Sequence, residues 1–154
     1  MARLHESLDT NLPANEAFAF IADFANASQW DPGVAWAQGL TSGPVGVGSA
    51  YRLGVRMGSR VTPMEYRITT FEPGRRVVLE GKGSGVEAID DIRFSPTATG
   101  TRIDYSADIR LRGWLRLVAP FAGGAFAAIA RNARAGMLKT LDEMAQRAGS
   151  EARA

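Results

Sequence analysis

The 154-residue sequence contains no cysteine and only one histidine. The first absence excludes disulfides, thiolate nucleophiles, iron–sulfur clusters and cysteine zinc sites together, and it fits a reducing compartment. The second leaves any Ser-His-Asp arrangement or histidine metal cluster dependent on His5, which falls at a solvent-facing strand position. No metal site and no cofactor are therefore expected. The opening MARLHESLDT carries a charge every second or third residue and no apolar core, so it is not read as a secretory leader and a cytoplasmic protein is expected. Long hydrophobic runs are missing as well. The apolar uncharged stretch Leu117 to Ala130 has 14 residues and includes Pro120, too short to span a bilayer but able to lie on one. The net charge is only +2. Scattered arginines alternating with acids argue against a nucleic-acid partner.

What is present describes a folded chain. Hydrophobic residues make up 45% and charged residues 22%, an ordinary globular balance. This length suits one domain that buries about 68–70% of its unfolded surface. We place that domain at residues 1–148 and expect 149–154 to be a disordered tail. From Phe126 onward, Phe126, Ile129, Ala130, Ala133, Met137, Thr140, Leu141 and Met144 recur at steps of three and four, which predicts one long helix. Taken from Phe121 to Arg147, it would be roughly 40 Å long, enough to cross a small domain. Its inner face is poor in bulk, since Ala125, Ala128, Ala130, Ala133 and Gly136 stand where Leu or Ile would fill a core. Such a helix can roof a hollow, and Leu in place of Ala133 or Gly136 is expected to fill that hollow at little cost.

The first strand is predicted from alternation over residues 3–12, with Glu6 on its apolar face. Pro13 ends it, and two short helices follow, over 15–22 and 26–30. Alternating runs punctuated by glycine and proline then predict strands near 34–40, 49–57, 60–71, 75–81, 86–94 and 101–112. Short turns between them make an antiparallel meander whose edge the first strand can join. Pro63 inside a strand marks a bulge or an edge.

The segments LPANEAFAFIADFANASQWDP, EPGRRVVLEG, IRFSPTATGTRIDYSADIRLRG and LVAPF before a long helix resemble the START-related superfamily of helix-grip proteins. The nearest branch is that of the polyketide cyclase/dehydrase-like or lipid-transport-like bacterial proteins. The resemblance implies an α+β fold in which a curved seven-stranded antiparallel sheet wraps the long C-terminal helix. It also implies an apolar cavity that binds a small hydrophobic molecule, and for Trp30 a place near the opening.

Within such a cavity, polar residues on the inner face are the candidates. Glu6 and Asp90 share the parity of apolar neighbours, so each is a candidate acid, base or hydrogen-bonding anchor with a raised pKa. Alternatively a bulge turns each outward, or an arginine pairs with it. Asn132 on the helix is a weaker candidate of the same kind. Tyr51, Tyr66 and Tyr105 can aim hydroxyls at a ligand or serve as core aromatics with the hydroxyl at a rim. Trp30 and Trp36 are candidates for the cavity mouth, Ile92, Ile129, Ala133 and Gly136 for its walls, and Trp114 for packing. Glycines 46 and 48 begin a dinucleotide-like pattern that Tyr51 breaks, and Gly81-Lys82-Gly83-Ser84 lacks the spacing of a phosphate loop.

Three functions stay open on this reading. The first is a small-molecule binding domain for a lipid, polyketide-like or aromatic ligand. The second is a cyclase or dehydrase-type enzyme, for which no pair of groups has a spacing that demands chemistry. The third is a protein that rests Leu115 to Ala130 on acidic lipid, flanked by Arg112, Arg116, Arg131 and Arg134. Nothing in the sequence specifies an oligomeric state.

Overall fold

The computed structural model describes residues 2–153. Strand β1 (Ala2–Thr10) leads into helix α1 (Ala14–Ala22), a 3₁₀ turn over Phe24–Asn26 and the single-turn helix α2 (Ala27–Trp30). Strands β2 (Val34–Gly39), β3 (Ala50–Met57), β4 (Arg60–Glu72), β5 (Arg76–Gly83), β6 (Val86–Pro96) and β7 (Thr101–Leu111) follow. Two 3₁₀ turns, Gly113–Leu117 and Ala119–Phe121, precede helix α3 (Gly123–Arg153). Each consecutive pair from β2 to β7 is antiparallel, and β1 pairs with β7, so the sheet order is β1-β7-β6-β5-β4-β3-β2. The strand order and the curved sheet are those expected of a helix-grip fold.

Alternation decides which face is wet. On the outer face of β1 and β7, Arg3 pairs with Asp108 at 2.7 Å and Arg102 with Asp9 at 2.9 Å. Farther along, Arg76 grips Asp91 with two hydrogen bonds. The inner face carries Leu8, Ile103, Ile92, Val77, Leu79 and Ile68, all nearly or fully buried. Helix α1 closes one end of this core, where Phe18 meets Phe71 and Phe94 edge-on at 5.2 Å.

Helix α3 crosses the inner face but is fastened at its flanks. Toward β1, Thr10 donates to Asp142 and Arg134 donates to the Ser7 carbonyl at 2.7 Å. Toward α2, Thr140 donates to the Gln29 carbonyl at 3.1 Å. Gly136 sits so close to the last carbonyl of α2 that an added Cβ would lie 2.1 Å from Trp30 O.

Several expected boundaries move. The long helix starts at Gly123, not Phe121, because the segment around Pro120 winds into 3₁₀ turns. It ends at Arg153, so 149–153 is helix where a disordered tail was expected. Extending an existing helix adds a hydrogen bond per residue without a new nucleus, which lets it pass Gly149. Pro63 takes the edge alternative, because β5 pairs with β4 only as far as Met64 and leaves Pro63 bonded on one side.

The Gly136 contact generates a test that reverses the sequence expectation. Although Ala is the better helix former by about 1 kcal/mol, Gly136→Ala pushes a methyl group into the backbone of α2. We expect a net loss of about 1–3 kcal/mol in urea or thermal unfolding; an unchanged or raised midpoint would refute the contact.

Candidate functional site

Between α3 and the middle of the sheet lies an internal cavity of about 140 Å³. Its floor comes from inward residues of β3, β4, β6, β7 and β1, its side from α2 with Trp30, and its roof from Phe126, Ile129, Ala130, Ala133 and Met137. Small side chains make the space. Ala88, Ala107, Ala130 and Ala133 all line it, and each leaves a volume that Leu would occupy. Gly81 has a related role from inside β5, because an added Cβ there would sit 2.5 Å from the Tyr66 ring. The ring therefore lies across β5, which only glycine permits.

Polar groups converge on this apolar wall. Asp90 is 5% exposed, and among the described residues no Lys or Arg comes within ion-pair reach of it. Burial pushes its carboxyl up to about 7, against the pull of a hydrogen bond from the Tyr105 hydroxyl, and the nearby Asp31 charge adds to the rise. Burial likewise raises Tyr66 and Tyr105, with the Asp90 charge as the next cause for both. Burial also raises Asp31, although the Gly33 amide donates to its Oδ1 at 2.8 Å and offsets part of this. Chemically the cluster can hold or release a proton near neutral pH at Asp90 and offer hydroxyl groups beside it.

The structure brings together Glu6, Trp30, Tyr66, Asp90, Tyr105, Ile129 and Ala133 at the cavity wall. For Glu6 the arginine alternative holds. It is a half-buried rim residue with Arg134 at 3.9 Å, so it is paired and not an isolated carboxyl. Five other candidates are elsewhere. A bulge between Val34 and Trp36 turns Trp36 to the convex face, where it covers Gly54. Tyr51 is buried beside Phe24, with its hydroxyl engaged by Ser49 and Asp23. Ile92 is fully buried in the packed core. Asn132 points to solvent from the outer face of α3, and Gly136 is taken up by the Trp30 carbonyl. Trp114, expected to pack, is 73% exposed.

Asp31 is a polar wall residue that strand alternation does not reach, since it lies in the short connection between α2 and β2. Phe24, Leu53, Met64 and Val86 also contribute. The usable signal was Gly81, a glycine inside a strand opposite Tyr66.

The family model described as "Polyketide cyclase / dehydrase and lipid transport" matches residues 1–148, and the chain belongs to that family. Among solved structures, the Zhui aromatase/cyclase from Streptomyces sp. R1128 superposes with a TM-score of 0.74 at 15% identity, covering 95% of this chain and 94% of that one. A START superfamily protein from Mycobacterium smegmatis gives 0.72 at 13% identity, with coverage of 94% and 97%. These likenesses establish the fold. No curated protein matches the sequence.

The Asp90 environment sets a pH dependence. Its unfolded pKa is about 3.9 and its folded pKa is higher, so the folded state holds the proton more tightly. The carboxyl therefore costs stability progressively as pH rises from the unfolded value to about 7, and the full cost applies above that. Asp90→Asn is expected to raise stability above pH 7, by at most on the order of 4 kcal/mol, and to change little at pH 4. Denaturant melts at both pH values would show this, and equal shifts at the two would contradict it.

Proposed function

We propose that this protein binds a small hydrophobic molecule, lipid-derived, polyketide-like or aromatic, in the cavity beneath α3. The observation that carries this reading is the apolar hollow itself, about 140 Å³ framed by alanines and glycine in an otherwise close-packed core. Dry cavities of about 150 Å³ accept benzene, so in this conformation the space suits a group of about one ring. A longer chain would extend through the rim beside Glu6 and Arg134. The family description and the aromatase/cyclase relative support the same reading. An enzymatic role would use Asp90 as its proton carrier, with Tyr105 beside it.

A second reading has its own observation. Trp114, Leu117 and Phe121 are 73%, 77% and 87% exposed, on consecutive 3₁₀ turns. Acids and arginines alternate only as far as Asp108. From Ile109 to Leu141 there is no acidic residue, while Arg110, Arg112, Arg116, Arg131, Arg134 and Lys139 fall within it. Arg112 is paired with Glu87 and Arg134 with Glu6, but Arg110, Arg116 and Arg131 have no acidic partner among the described residues, and an apolar tip beside such cations fits an anionic lipid surface. No helix among the described residues is long and apolar enough to cross a membrane, so the contact proposed is peripheral.

Ala133→Leu should weaken binding of α-methylstyrene at least tenfold in calorimetry while costing less than about 1.5 kcal/mol of stability. Unchanged binding would remove the cavity as the site. For the second reading, the protein should co-sediment with phosphatidylcholine vesicles containing phosphatidylglycerol, less so at high salt, and Trp114→Ala with Phe121→Ala should abolish this. Failure to sediment, together with concentration-dependent dimerisation, would assign the patch to a second copy instead.

A further inference from the structure

Trp30 lines the cavity and is 2% exposed, yet its indole Nε1 has no hydrogen-bond partner. It is the one buried side-chain nitrogen or oxygen among the described residues in that condition. The other buried polar side chains follow the rule that such groups are paired. Thr101 donates to the Leu12 carbonyl at 2.7 Å and Thr10 donates to Asp142. The aromatic neighbours of Trp30, Phe24 and Tyr105, present ring faces and edges at 6.3 and 6.2 Å. Nearby, the Tyr66 hydroxyl has only the Met64 sulfur at 4.0 Å, a weak acceptor.

An indole N–H can donate and cannot accept, so its complement is an acceptor atom on whatever enters. Charge narrows the class further. Asp90 and Asp31 both line the cavity, whereas Arg134 and Arg56 stand at its rim with their guanidinium groups engaged by the Ser7 and Pro32 carbonyls. A carboxylate at the inner end would face two acids. An ammonium group would offer Trp30 nothing to donate to.

Resting on the cavity-binding reading, we propose that the ligand is an uncharged molecule whose ring-sized inner end bears an oxygen acceptor, such as a ketone or ester carbonyl, seated on Trp30 Nε1. Trp30 then selects for ligand polarity as well as packing. A site built around a buried donor discriminates against an isostere that leaves the donor unpaired.

The test compares acetophenone with α-methylstyrene, which has the same shape with a methylene in place of the carbonyl oxygen. A two-by-two cycle with Trp30→Phe removes the difference in hydrophobicity between the probes. Trp30→Phe is expected to weaken acetophenone about fivefold and to leave α-methylstyrene within twofold. In the wild-type protein, ¹H–¹⁵N spectra should show the Trp30 indole signal moving downfield with acetophenone but not with α-methylstyrene. Of three tryptophan signals, it is the one that remains when the exposed Trp36 and Trp114 are replaced in Trp36→Phe/Trp114→Phe. An unmoved indole signal with acetophenone bound, or equal weakening of both probes, overturns the inference and leaves the cavity reading intact. If neither probe binds the wild type, both fall. The wild-type spectra decide the matter even if the variant does not fold.

Discussion

The arrangement depends on how α3 is held. A sheet with one apolar face must be covered, and here the cover is a helix fastened along both flanks of the trough. On one flank Thr10 and Ser7 in β1 bond to Asp142 and Arg134. On the other, Gly136 and Thr140 close over the carbonyl end of α2. Because the helix is suspended between these supports, its alanines stand away from the middle strands. Larger residues at Ala130 or Ala133 would have turned the same support into an ordinary core. The cavity is thus a consequence of small side chains on a helix that cannot sink.

The polar groups facing this space run against folding stability. A buried carboxyl with no cation and an indole donor with no acceptor both cost free energy that apolar residues would avoid. Proteins hold such groups where a site needs them. Asp90, Tyr105, Tyr66 and Trp30 come from β6, β7, β4 and α2, yet they meet at one wall. The strand register explains this for the sheet residues, since Ile92 pairs with Tyr105 and Leu79 with Asp90, while Gly81 lets Tyr66 lean across from β4.

Relatives with 13–15% identity share the fold over nearly their whole length. What such distant chains have in common is the alternation of strands, the short turns and the amphipathic closing helix, which many sequences satisfy. The identity of a ligand resides in wall residues that this pattern leaves free.

Local periodicity is legible in a single sequence, and it determined the elements here. The period of two in Thr101–Leu111 and the three-four spacing after Phe126 each follow from backbone geometry alone, so strands, turns, helix and the hollow under small residues could be read directly. Parity also placed Asp90, Tyr66 and Tyr105 on the inner face. Parity cannot tell which stretch of that face lies under the gap, and so Ile92 and Tyr51 were grouped with them although both are packed away. A one-residue bulge moved Trp36 to the opposite face. Whether Gly136 opens a hollow or admits a backbone depends on α2, more than 100 residues earlier in the chain, and the pairing of Glu6 with Arg134 depends on a contact just as distant. Those outcomes are set by which elements meet in space, and only the tertiary structure decided them.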